Sequence, residues 1–75
     1  RQRVNHDKTI EQWRDRLLSD EAAAWTELAG LIEPTALQQI RSLARQARAE
    51  TAASRPPAAA RQLFRRLREA LPGPA

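Results

Sequence analysis

The sequence has no cysteine. Neither a disulfide nor a thiolate metal site holds it together, and the composition fits a reducing compartment such as the cytoplasm. It has only two glycines, Gly30 and Gly73, far apart, whereas a phosphate-cradling loop needs several in close order. It has one histidine, His6, and its carboxylates are scattered. No ligand spacing for a metal results, and no nucleophile is placed beside a base. These absences point away from an enzyme, a cofactor and a small-molecule substrate. The longest strongly apolar run, Leu28 to Ile32, is far short of the roughly 20 residues that cross a bilayer, and no signal-peptide pattern appears. Strand-like alternation and internal repeats are missing too.

What is present is helical. With 75 residues the chain is at most one domain, and a chain of this size buries only roughly 60% of the surface its unfolded form exposes. His6, Ile10, Trp13 and Leu17 recur at steps of four, three and four, which places them on one face of a helix over residues 1–18. On that stripe His6 reads as a half-buried packing residue. Asp7, Glu11 and Asp15, at four-residue steps, read as a solvated face. Ser19 and Asp20 break the pattern and offer an N-cap, with Glu21 in the first turn of a second helix, where a negative charge is favoured. That helix runs to about Gly30 on Trp25, Leu28, Ala29 and Ile32. Pro34 cannot continue it, and Thr35 with Gln38 has the spacing of a capping box for a third helix.

Leu37, Ile40, Leu43, Ala44 and Ala47 make the third stripe, which fades through Thr51 and Ser54. Arg55-Pro56-Pro57 is a stiff link, with Pro57 suited to the first position of a fourth helix. Ala60, Leu63, Phe64, Leu67 and Leu71 line that helix, and Pro72-Gly73-Pro74 stops it. The expected architecture is all-α: a small bundle of about four amphipathic helices with short links, one domain over residues 1–75. Trp13, Trp25, Leu28, Ile40, Leu43, Leu63, Phe64 and Leu67 are expected to form one core, with the aromatics as packing residues and not stacking platforms. Because the chain starts at Arg1, inside a helical pattern, it reads as part of a longer protein.

Charge is divided unevenly. Residues 1–40 carry five basic side chains against seven acidic ones; residues 41–75 carry eight arginines against Glu50 and Glu69. Lys8 is the only lysine. Such asymmetry calls for an anionic partner of the basic half, and arginine suits forked contacts to phosphate and stacking on bases. Genomic base composition alone favours arginine over lysine, but it does not gather arginines after residue 40. Arg41, Arg45 and Arg48 lie at i, i+4 and i+7, roughly 110–120° from the stripe of their helix at 100° per residue, and Arg61, Arg65 and Arg68 repeat the pattern. Arg55 stands between the two rows. Like charges at i, i+4 repel, so two such rows are not what a purely structural surface selects. Pairs of Arg65 or Arg66 with Glu69 leave most of the arginines uncompensated.

Two other readings use the same residues. Residues 60–71 form a basic amphipathic helix of the kind that lies on acidic membranes, but the bundle needs its apolar face, so no membrane partner is expected. The second and third helices loosely resemble a helix-turn-helix, in which residues at the start of the third would meet base edges. Gln38 and Gln39 then become readers of adenine. A DNA-binding module of that kind, or a helical protein-interaction module, stays open as the alternative.

Three blocks carry a more specific signal: Trp13-Arg14-Asp15-Arg16-Leu17-Leu18, the run from Gln39 to Glu50, and Pro56-Pro57 followed by Ala60 to Glu69. In order and spacing they resemble the C-terminal part of the YjgA family, the dual-action ribosomal maturation proteins (DarP). The last block is the most specific, and the resemblance covers most of the chain. It implies the C-terminal domain of a cytoplasmic, all-helical bacterial factor. Such a factor associates with late precursors of the large ribosomal subunit and assists maturation of its peptidyl-transferase region. It also implies rRNA as partner and no catalysis. Arg41, Arg45, Arg61 and Arg68 match arginines of the family pattern, Arg48 a basic position, and Arg55 a basic residue before the paired prolines; Arg65 falls where the pattern is looser. The sequence departs from the pattern after Pro34, where Thr35-Ala36-Leu37 replaces an Asp-Arg pair. The expected RNA-binding set is therefore Arg41, Arg45, Arg48, Arg55, Arg61, Arg65 and Arg68.

Overall fold

Four apolar stripes give four helices. The computed structural model of the protein describes residues 2–71, with side chains from residue 6 onward. The helices are α1 (Gln2–Leu18), α2 (Ala22–Ala29), α3 (Pro34–Ala52) and α4 (Ala58–Ala70), and no strand occurs among the described residues. The fold is all-α, a small bundle. The Pro72-Gly73-Pro74 stop lies outside the described residues.

α3 and α4 form an antiparallel pair, Glu50 meeting Ala59 at one end and Gln39 meeting Arg66 at the other, and pack on each other more extensively than any other two helices; α1 packs on both, and α2 touches α1 and α3. Alanine makes the close pairing possible. α3 buries Ala36, Ile40, Ala44 and Ala47, and α4 answers with Ala59, Leu63 and Leu67. Small side chains on one helix let the large ones of the other reach its backbone. Ile10 and Leu17 from α1, Ala24 and Leu28 from α2, and Leu71 complete the core. Each fully buried leucine or isoleucine contributes about 1.5–3 kcal/mol relative to an exposed one. The Cα radius of gyration is 12.0 Å, close to the roughly 11 Å typical of a compact chain of this length.

The expected core is half right. Leu28, Ile40, Leu63 and Leu67 are fully buried, whereas Trp13, Trp25, Leu43 and Phe64 are half-buried and pack against the core from outside. Ala29, expected on the stripe of α2, is exposed, and Ala24 takes its place. His6 is half-buried, as its position implies.

The helix ends differ from expectation by one or two residues, for identifiable reasons. Asp20 does not cap α2. It adopts a left-handed conformation (φ 58°), and the amides of Asp20 and Glu21 donate to the carbonyls of Leu17 and Arg16. That is a Schellman ending for α1, and it leaves Glu21 as the residue before α2, without a side-chain cap. Ser54 (φ 56°) ends α3 in the same way, with Ser54 N–H donating to Thr51 and Arg55 N–H to Glu50. Both positions usually carry glycine, and its absence hid them. Thr35 forms no capping box: Glu33 precedes the helix and Pro34 occupies its first turn, where a missing amide hydrogen costs nothing. Pro57 likewise stands one residue before α4.

The start of α4 is capped from a distance. Ala59 N–H donates to Glu50 Oε1 at 2.8 Å, across the α3–α4 turn. The carboxylate thereby meets both an orphan amide and the positive end of the helix. Glu50→Ala should lower stability by about 1–2 kcal/mol, while Glu50→Gln, which keeps the acceptor, should lose less than half of that. Thermal unfolding of the two variants checks this; equal losses would assign the effect to packing and not to the cap.

Candidate nucleic-acid interface

The arginine rows do not form one uniform stripe. The row on α3 borders α2 and the end of α1. Arg41 holds its guanidinium carbon 5.3 Å from the centroid of the Trp25 ring, within the roughly 6 Å of a cation–π contact. Arg48 is half-buried. Its Nη1 donates to the carbonyl of Leu17 at 3.3 Å and lies 3.6 Å from Asp20 Oδ1. It therefore serves the negative end of α1 as much as the surface. Arg45 is exposed between them. Together with Asp20, Ala22 and Trp25 the three arginines line an open cleft of about 400 Å³.

The row on α4 borders α1. Arg61 is exposed and shares a second cleft, of about 430 Å³, with Glu11, Arg14, Pro57, Ala60 and Phe64. Arg65 is exposed. Arg68 reaches α1, its Nη2 lying 3.2 Å from Asp7 Oδ1, so Asp7 does not belong to a freely solvated face. Arg55 is exposed in the link. Among the described residues, Arg45, Arg55, Arg61 and Arg65 enter no ion pair, whereas Arg48 and Arg68 each meet an aspartate from the acidic half. The tally of nearby acids missed these two partners, because they lie 28 and 61 residues away in sequence.

Three arginines outside the expected set complete the picture. Arg66 donates from Nε to Gln39 Oε1 at 2.7 Å and approaches Glu69 at 3.8 Å, which ties α4 to α3. Arg14 sits over Phe64 at 5.8 Å, and Arg16 over Trp13 at 4.9 Å. Arg16 also donates to Glu27 Oε2 at 2.6 Å and to Glu21 at 3.4 Å. The hydrogen bond to Glu27, with the charges of both glutamates behind it, outweighs partial desolvation and raises its pKa above the ordinary range. All three aromatic residues thus carry an arginine over the ring, each at the edge of the core. Sequence periodicity placed these rings on apolar stripes; Arg16 stands three residues after Trp13 on the same helix and was within its reach, but Arg14 and Arg41 come from other helices than their rings and left no local signal.

Among the described residues, no three His, Cys, Asp or Glu side chains come together to hold a metal ion, and no helix is long and apolar enough to cross a membrane. The fold and its surface define a small helical bundle with two arginine-walled, aromatic-edged clefts. The sequence model of the family described as "Dual-action ribosomal maturation protein DarP" matches residues 1–68, and the chain belongs to that family. It is 45% identical over 65 residues to the DarP protein of Methylobacillus flagellatus, a match covering 87% of this chain and 36% of the relative. To that of Pectobacterium atrosepticum it is 47% identical over 60 residues, 80% of this chain and 33% of the relative. The chain spans about a third of the length of the curated relatives it matches. No solved structure matches it significantly.

Proposed function

We propose that this chain is the C-terminal, rRNA-contacting domain of a cytoplasmic maturation factor that binds precursors of the large ribosomal subunit. Its relatives are named as ribosomal maturation proteins. The observation that carries the reading is the set Arg45, Arg55, Arg61 and Arg65: four exposed guanidiniums on the basic half that, among the described residues, enter no ion pair and lie over no aromatic ring. Phosphate is the ligand such groups await. Arg41 adds a planar cation at the cleft beside Trp25, and Arg48 and Arg68 stand at the margins with their charge partly met. The factor acts by binding and not by catalysis.

A DNA-reading role for the start of α3 fits less well. Ala36 is buried and Leu37 half-buried, and Gln39 accepts a hydrogen bond from Arg66, so its side-chain oxygen is already engaged across the α3–α4 surface. Structured RNA should be preferred to duplex DNA of any sequence, and Gln38→Ala with Gln39→Ala should change RNA affinity less than about three-fold. A large, sequence-dependent loss on DNA would transfer the function to the helix-turn-helix reading. Sedimentation of the full-length protein with ribosomal particles is the direct test. Co-migration with precursor large subunits is expected, and migration free of every particle would exclude the proposal.

A further inference from the structure

The α2–α3 cleft differs from the remainder of the basic surface. It offers a planar group as well as charge. Trp25 lines it, and the indole is held by a hydrogen bond from Nε1 to Asp20 Oδ1 at 3.1 Å. Arg41 lies over that ring, its guanidinium carbon 5.3 Å from the centroid. Arg41 is exposed. Guanidiniums and aromatic rings are the groups on which unstacked nucleobases settle. Arg45, one turn further along α3, lines the same cleft and enters no ion pair among the described residues. The charge of Arg48 is countered by Asp20 at 3.6 Å, and the Asp20 carboxylate repels a phosphate from that end. The cleft is therefore polarised along α3: a stacking surface at Arg41, a phosphate-binding cation at Arg45, and a neutralised pair beyond.

The second cleft, at Phe64, is a poorer match. It holds Arg14 and Arg61 against the carboxylate of Glu11, and the Glu11 side chain is exposed. The α2–α3 cleft sets three arginines against one aspartate, and tryptophan is the strongest cation–π partner.

We infer that the α2–α3 cleft receives a single unpaired nucleotide of RNA, its base stacked on Arg41 over Trp25 and its phosphate held by Arg45. This rests on the RNA-binding reading above and adds to it a class of target: a bulge, loop or strand end, not a continuous duplex. In a duplex the bases are stacked on one another and present no free face.

The test uses the full-length protein and three hairpin RNAs of one sequence: fully paired, with one bulged adenosine, and with an abasic nucleotide at the bulge. The abasic RNA keeps the phosphate and the bend but lacks the base. The bulged RNA should bind on the order of ten-fold more tightly than the abasic one, the scale of one base stacking on a protein side chain. Arg41→Lys keeps the charge and, being an exposed position, leaves the fold intact. Whatever it does to overall affinity, it should bring the bulged and abasic RNAs to equal affinity, the two being compared on the same variant. Equal affinity of the unmodified protein for bulged and abasic RNA overturns the inference and leaves the RNA-binding reading in place. A base preference that survives Arg41→Lys also overturns it. Loss of salt-sensitive binding to all three RNAs overturns the function itself.

Discussion

Replacing Leu63 with alanine should remove about 3–4 kcal/mol from the stability of the bundle, near the middle of the range for buried leucines. Leu63 is fully buried in α4, on the face that meets α3, and truncation opens a cavity where the two most extensively packed helices meet. A domain of this length has only about 4–11 kcal/mol in total, so the variant should be largely unfolded at 37 °C or close to it. Phe64→Ala removes a bigger side chain yet should cost less. That ring is half-buried, packs on the core from outside, and has Arg14 over one face. The order Leu63 above Phe64 inverts what side-chain size alone dictates. Urea unfolding followed by circular dichroism gives both values, and a Phe64→Ala loss exceeding that of Leu63→Ala would falsify the assignment of the core.

That inversion marks where periodicity stops being informative. Apolar spacing located four helices and, wherever leucine and isoleucine recur at i, i+3, i+4, their buried faces, because such side chains leave few choices of phase. Alanine leaves many. It is small enough for either environment, so the stripe of α2 was drawn through Ala29 when Ala24 is the buried one. In α4 it was drawn through Ala60 in place of Ala59. Leu63 and Leu67 centre the buried face of α4, and Phe64, one residue from Leu63 and so turned by roughly 100°, stands at the border of the core.

The site was legible as composition but not as geometry. Arginines at i, i+4, i+7 can be read from the chain directly. Which of them are already engaged cannot, because the deciding partners are distant: Asp20 for Arg48, Asp7 for Arg68, Gln39 for Arg66. Dividing the charge into an acidic and a basic half hid the fact that folding lays part of one half against the other. Glu50, tallied among the acids near the arginines, faces the first amides of α4. The cleft at Trp25 depends on two separate stretches of chain, one of them containing the left-handed turn at Asp20, and no pattern local to either announces it.

The salt dependence of RNA binding should follow the ion pairs and not the arginine count. Each phosphate neutralised by a cation releases condensed counterion, so the logarithm of the binding constant falls linearly with the logarithm of salt concentration, by about 0.7–0.9 per contact. With Arg45, Arg55, Arg61 and Arg65 as the contacts, the slope should be about −3, and affinity should fall roughly sixty-fold between about 50 and 200 mM salt. Arg45→Ala and Arg61→Ala should each make the slope shallower by nearly one. Together they should bring the sixty-fold loss down to about eight-fold, with the thermal midpoint unchanged because both side chains are exposed. Arg68→Ala should behave differently. Its charge is already set against Asp7 at 3.2 Å, so it contributes little counterion release, and its loss leaves an aspartate unpaired near the surface. The slope should then change by less than half as much as for Arg45→Ala. Lysine at position 45 separates charge from shape: a restored slope with weak binding means that forked hydrogen bonds carry part of the affinity. Filter-binding titrations of the full-length protein at four or five salt concentrations give all of these slopes. Equal slopes for Arg45→Ala, Arg61→Ala and Arg68→Ala would mean that RNA breaks the Asp7 pair on binding. Three slopes indistinguishable from that of the unaltered protein would mean that none of these arginines meets a phosphate.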